Sequence, residues 1–215
     1  MDIELIELKQ LAIRRIAVSG MDNNVYLLTS RASGEQLLID AAADPDAIAA
    51  LLADAGGQLR YVLTTHSHHD HIGALAAVAA AHPEAEALAG ETDAAAITAA
   101  TGVPIARRLA DGDVIELGGV LLAVIALRGH TPGSVALAQA GTGAAPQLFT
   151  GDSLFPGGVG NTGRDQQRFA SLLADVETRL FDAYPDAAVV WPGHGLPTTL
   201  GAERAHLGEW RARGW

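Results

Sequence analysis

The chain has 215 residues, with 25 acids against 14 bases, a formal net charge of −11 and no cysteine. That charge argues against a nucleic-acid partner and against anionic membranes. The missing cysteine excludes disulfides, zinc fingers, iron–sulfur clusters and thiol nucleophiles, so any metal must be held by His and carboxylate.

With 49% apolar residues and only 5% aromatic ones, the core is built mostly from Ala, Leu, Val and Ile, in a single domain over residues 1–215. The N-terminus is acidic and alternating, unlike a secretory signal. Short β segments follow at 15–19, 25–29 and 36–40, separated by turn formers at 20–24 and 33–34. Asp44 then offers an N-cap and Pro45 a first helical position for a helix over 44–54, ended by Gly56 and Gly57. A buried strand over 59–64 runs straight into Thr65-His66-Ser67-His68-His69-Asp70-His71, and an Ala-rich helix over 72–81 stops near Pro83. A strand at 86–89 and a helix at 91–100 come next, and 114–117 with 121–126 form a hairpin around Gly118 and Gly119. Further strands are predicted at 135–139, 148–150 and 188–191. The clearest amphipathic helix covers 167–181, with Phe169, Leu172, Leu173, Val176, Leu180 and Phe181 near one face, and a closing helix covers 202–210. Strands in both halves with helices between them predict an α/β layered domain. Apolar runs such as 74–81 and 120–127 are too short to span a bilayer, so a soluble cytoplasmic protein is expected.

The densest chemistry lies at residues 66–71. Alternate residues of an extended chain share one side, so His66 and His68 can reach one point, while Asp70 and His71 sit at the turn into a helix and can reach a second. Neutral imidazole with carboxylate is a ligand set for Zn²⁺, Fe²⁺ or Mn²⁺. Three later segments each place one ligand-type side chain at a strand end beside glycine: Gly129-His130-Thr131-Pro132-Gly133-Ser134, Thr150-Gly151-Asp152-Ser153 and Pro192-Gly193-His194-Gly195.

The string Thr65-His66-Ser67-His68-His69-Asp70-His71-Ile72-Gly73 resembles the metallo-β-lactamase superfamily signature, and the three later segments resemble its further motifs, in order. Asp70 and His71, an aspartate rather than a cysteine at 152, and the segment from Met21 to Leu27 point to the glyoxalase II-like branch. The resemblance implies a four-layer αββα sandwich with two divalent metal ions at one edge, most simply zinc, with iron or manganese as options. It assigns His66, His68 and His130 to the first ion, Asp70, His71 and His194 to the second, and Asp152 to both.

Two such ions lower the pKa of a shared water toward roughly 7, and the resulting hydroxide would attack a thioester or small ester carbonyl without any Ser or Cys nucleophile. Asp70 would orient that hydroxide. Tyr26, Asn161 and Arg164 are candidate substrate contacts, although for Tyr26 a core position is the safer reading. Arg128 reads either as a contact to an acidic substrate or as half of a structural ion pair. His69 reads as a neighbour that packs or hydrogen-bonds beside the cluster, His82 and His206 as surface residues and Ser67 as a spacer. Only 21 residues follow His194, which predicts one helix rather than the helical domain that helps hold glutathione in larger enzymes of the branch. The same motifs also fit a persulfide dioxygenase-like protein with one iron on His66, His130 and Asp152, or a lactonase. The expected partner is a small molecule.

Overall fold

The computed structural model describes residues 2–141 and 144–214. Seven strands, β1 (Glu4–Glu7), β2 (Leu11–Val18), β3 (Asn23–Ser30), β4 (Glu35–Ile39), β5 (Gln58–Thr64), β6 (Glu86–Gly90) and β7 (Arg107–Leu109), lie in sequence order in the first sheet. The first four are antiparallel neighbours, while β4 to β7 run parallel. Parallel pairing requires crossovers, and these carry the helices α1 (Pro45–Ala55), α2 (Leu75–Ala81) and α3 (Glu91–Thr101).

The second sheet has β8 (Val114–Leu117) at one edge, followed by β9 (Val120–Ala126), β10 (Val135–Gln139) and β11 (Gln147–Gly151). A small hairpin, β12 (Leu154–Phe155) with β13 (Gly158–Val159), and helix α4 (Gln166–Val176) then lead to β14 (Val189–Pro192), which pairs parallel with β11. β15 (Thr198–Thr199) closes the other edge, before the short helices α5 (Leu200–Arg204) and α6 (Leu207–Arg213).

Strand alternation explains the layering. In β3, Tyr26 and Leu28 face the second sheet among Leu122, Leu137, Phe149 and Trp191. Val25 and Leu27 face the opposite way, toward Ile48, Leu51 and Leu75 of α1 and α2. A third apolar layer packs β10, β11 and β14 against Leu172 and Val176 of α4 and Trp210 of α6. Three apolar seams therefore separate four layers, the αββα sandwich expected from the sequence resemblance.

Local signals behave as their chemistry demands. Asp44 caps α1 through Ala47 N, with Pro45 at the first turn. Gly118 and Gly119 take φ of 51° and 87°, the left-handed pair that a two-residue hairpin needs. The expected helix over 167–181 is α-helical only to Val176 and widens into a π turn over Glu177–Phe181. The expected closing helix divides at Ala205 and His206 into α5 and α6. No helix among the described residues is long and apolar enough to cross a membrane.

Candidate metal centre

All the ligand-type residues lie at one edge of the sandwich because the strands that carry them end there. His66 and His68 follow β5, and a 3₁₀ turn, His69–His71, supplies Asp70 and His71. His130 lies between β9 and β10, Asp152 follows β11, and His194 follows β14. The two sheets are stitched together beside them: Val135 N donates to Thr65 O at 2.9 Å, and Asn24 N donates to Gly193 O at 2.8 Å. Gly193 must be glycine, since a Cβ there would collide with the Asp152 carboxylate and with His71.

The imidazoles are aimed by oxygens outside the cluster. His71 Nδ1 lies 2.8 Å from Asp40 Oδ2, His130 Nδ1 2.8 Å from Asn161 O and His194 Nδ1 2.8 Å from Met21 O. A carboxylate or carbonyl only accepts, so each ring donates there and turns the lone pair of Nε2 inward. Thr65 Oγ1 gives its hydrogen to Asp40 and can accept from His66 Nδ1 at 3.1 Å. His68 is oriented the other way, with Nδ1 3.1 Å from His66 Nε2.

The inward atoms form two sets, His66 with His68 and His130, and Asp70 with His71 and His194; a third set, His66, His71 and Asp152, lies between them. His71 Nε2 is 3.2 Å from His194 Nε2 and 3.3 Å from Asp152 Oδ1. His194 Nε2 is 3.3 Å from Asp70 Oδ2, and His130 Nε2 is 3.5 Å from Asp152 Oδ2. With metal–nitrogen bonds of about 2.0–2.1 Å, the edge of a tetrahedral ligand shell is about 3.3 Å, so these spacings are those of shells closed around small cations. His130 Nε2 and Asp152 Oδ1 are also buried without a hydrogen-bond partner. A buried polar group left unpaired is costly, and a divalent cation would satisfy both. The donor set therefore fits divalent metal binding.

Electrostatics differ between the two halves. Burial, reinforced by the neighbouring His71, holds His66 well below the ordinary imidazole range, and burial also lowers His68 and His130. Burial opposes the charge on His71 as well, but Asp40 and Asp152 outweigh it and push its pKa up to about 10, so without a cation Nε2 carries a proton that metal binding would displace. Burial works to raise Asp152, yet the neighbouring imidazoles of His194 and His71 prevail and keep it well below the carboxylate range.

The other candidate residues fall out as follows. Tyr26 is not at the mouth: it is 2% exposed, packs edge-on against Phe149 and Trp191, and donates to Pro192 O at 2.6 Å. Its place in the alternation of β3 turns it between the sheets, so it supports the His194 loop from below and is withdrawn as a substrate contact. The side chains of Asn161 and Arg164 are exposed and line, with Val159, Thr162 and Arg213, a cavity of about 380 Å³. Arg128 makes a bidentate pair with Asp175 at 2.9 and 2.8 Å, the structural alternative. His69 is 92% exposed, its Nδ1 3.9 Å from Asp70 Oδ1. His82 and His206 lie beside Glu84 and Glu209, away from the centre.

Three carboxylate and amide side chains that matter were not singled out from the sequence. Asp40 accepts from Thr65 N, Thr65 Oγ1 and His71. Asn23 touches Asp70. Asp93, 2% exposed, accepts from Ser67 N at 2.9 Å and Gly133 N at 2.8 Å, tying the His66 loop to the His130 loop. Asp40 had a signal, an acid ending the apolar run Leu37-Leu38-Ile39; Asp93 in its Ala-rich helix had none. The tie leaves no room at Gly133, where a Cβ would meet Asp93 N and Oδ1. Gly133→Ala is expected to lower stability by about 1–3 kcal/mol through overpacking, visible as a lower thermal midpoint. An unchanged midpoint would show that the loops are not clamped there.

Comparison with known proteins agrees with this geometry. Residues 18–194 match the metallo-beta-lactamase superfamily. A hydroxyacylglutathione hydrolase of Anaeromyxobacter dehalogenans is 40% identical over 177 residues, covering 81% of this chain and 62% of that protein. The crystal structure of TTHA1623 in a di-iron-bound form superposes with a TM-score of 0.69 at 32% identity, covering 88% of this chain and 96% of that one. The crystal structure of ETHE1 from Myxococcus xanthus gives 0.76 at 26% identity, covering 91% and 82%. The chain spans between 62% and 64% of the length of the first curated relatives it matches.

Proposed function

The chain belongs to the metallo-beta-lactamase superfamily, and on that basis we propose that it is a metal-dependent thioester hydrolase of the glyoxalase II type. The observation that carries this reading is the pair of three-residue ligand sets sharing Asp152. His66, His68 and His130 would hold one divalent cation, Asp70, His71 and His194 a second, and Asp152 would serve both. Zinc is the ion proposed; iron and manganese suit the same donors. Bound there, the pair would supply a water acidic enough to ionise near neutral pH and a Lewis acid for the carbonyl oxygen.

The chain's own residues do the rest. Asp70 commits Oδ2 to the ligand set and to Asn23, which leaves Oδ1 to accept a hydrogen bond from the attacking water and fix its direction. A thiol leaves as the thiolate near its ordinary pKa of about 8.5, so no dedicated acid is required. The cavity between β13 and α6, where Asn161, Arg164 and Arg213 meet, receives the carrier end of the thioester. Its size of about 380 Å³ suits a small ligand.

Elemental analysis of the purified protein, coupled to a panel of thioesters, lactones and persulfides, tests the reading. Two divalent cations per chain are expected, with thioester turnover that dialysis against a chelator removes and metal restores. Carboxylate-bearing thioesters should outperform neutral ones. A single iron with oxygen uptake on a persulfide would replace this reading by the dioxygenase one.

A further inference from the structure

We propose that Asn23 is the positioning residue for the second cation's half of the centre, and that Ser19 pins the acceptor end of its amide. The proposal rests on the two-cation reading above.

Asn23 opens β3 and is fully buried. Its Nδ2 donates to Asp70 O and to Asp70 Oδ2, both at 3.0 Å, and lies 3.4 Å from His194 Nε2. An amide has one donor and one acceptor end of nearly equal shape, so its direction must be settled by its partners. Asp70 settles it: its backbone O and its Oδ2 only accept, so the NH₂ end must face them. Oδ1 then points the other way, where Ser19 Oγ, accepting from Met21 N at 3.0 Å, donates to it at 2.6 Å.

The loop that makes this possible is strained. Ser19 and Asp22 have φ of 66° and 53°, left-handed values that cost a non-glycine residue about 1–2 kcal/mol each. The same loop presents Met21 O to His194 Nδ1. One hairpin end thus aims two of the three residues of the second set, one from each sheet.

A carboxylate turns easily about its last bond, with a broad, roughly two-fold profile. The amide of Asn23 selects Oδ2, the oxygen 3.3 Å from His194 Nε2 and 3.6 Å from His71 Nε2, and holds it there. The first set is oriented by other groups, Thr65 and Asn161. Loss of the amide therefore acts on one cation and not on the other.

The test is stepwise calorimetric titration of the chelator-stripped protein with Zn²⁺, for the wild type, Asn23→Leu, Asn23→Asp and Ser19→Ala. Asn23→Leu keeps the volume but not the donor. It is expected to weaken the second binding step by about 10–100-fold, the range for partners that orient a metal ligand, and to leave the first step within about threefold. Its thioester kcat falls with KM little changed. Asn23→Asp, with a second negative charge against Asp70, should be the more damaging change. Ser19→Ala, which only frees the amide to turn, should weaken the second step by a smaller factor and remains readable should Asn23→Leu fail to fold. Equal loss at both steps, or a lower thermal midpoint with both steps intact, would overturn the proposal. A wild type that takes up fewer than two ions overturns the two-cation reading itself.

Discussion

Asp152→Ala is expected to reduce thioester hydrolysis by about three orders of magnitude or more and to leave the protein with fewer than two bound cations. Asp152 reaches both halves of the centre: Oδ1 is 3.3 Å from His71 Nε2, and Oδ2 is 3.5 Å from both His130 Nε2 and His194 Nε2. It is ionised despite burial, because His194 and His71 hold its pKa down. Truncation removes a shared ligand and a negative charge from a pocket of five imidazoles. One preorganised electrostatic contact in a water-poor site is commonly worth about 10²–10³ in rate, and in the proposed centre this residue would act at both cations at once. Asp152→Asn keeps the shape without the charge and separates the two contributions. The checks are kcat/KM and metal content per chain; a variant retaining a tenth of wild-type activity would mean that the two halves do not work as one centre.

The largest effect on stability is expected at Asp40. Its carboxylate is 1% exposed and accepts Thr65 N at 2.7 Å, Thr65 Oγ1 at 2.8 Å and His71 Nδ1 at 2.8 Å. Asp40→Ala orphans all three donors inside the protein and leaves the buried His71 without its counter-charge, a loss of about 3–5 kcal/mol. For a chain of this size the thermal midpoint should fall by roughly 10 °C. Asp40→Asn is the informative partner. Its oxygen can still accept from Thr65 N, but its NH₂ then faces His71 Nδ1. The ring must accept there and carry its hydrogen on Nε2, aimed into the second ligand set. That variant should melt close to wild type and yet fail to take up the second cation. If Asp40→Asn binds both ions normally, the carboxylate does not fix the ring's tautomer.

The ligands could be found in the sequence because metal chemistry leaves local marks: clustered imidazoles at 66–71, and single His or Asp residues beside glycine at 130, 152 and 194. The residues that aim them leave no such mark. Asp40 meets Thr65 and His71 because β4 and β5 pair in parallel, with Ile39 beside Leu63. Asn23 meets Asp70 only once the β2–β3 hairpin folds over the β5 turn. Tyr26 takes the safer of its two readings, since strand parity puts its polar ring between the sheets. The same division holds for the fold. The α1 cap, the Gly118–Gly119 hairpin and the apolar strands announce themselves. The edge strands β1 and β7 and the two-residue strands β12, β13 and β15 do not, since pairing with neighbours rather than their own composition keeps them extended. The break between α5 and α6 falls among ordinary helix formers and had no breaker to betray it.

Most of the polypeptide lies between the first ligand, His66, and the last, His194, and the two sheets contribute to the same rim. During synthesis, an emerging chain would offer at most a half-site, the early cluster around His66, until β14 has docked beside β11. Full affinity for the proposed pair of ions would thus be a property of the finished sandwich. A cation that binds only this state draws the equilibrium toward it by mass action, so metal supply would act as a late checkpoint on maturation as well as on turnover.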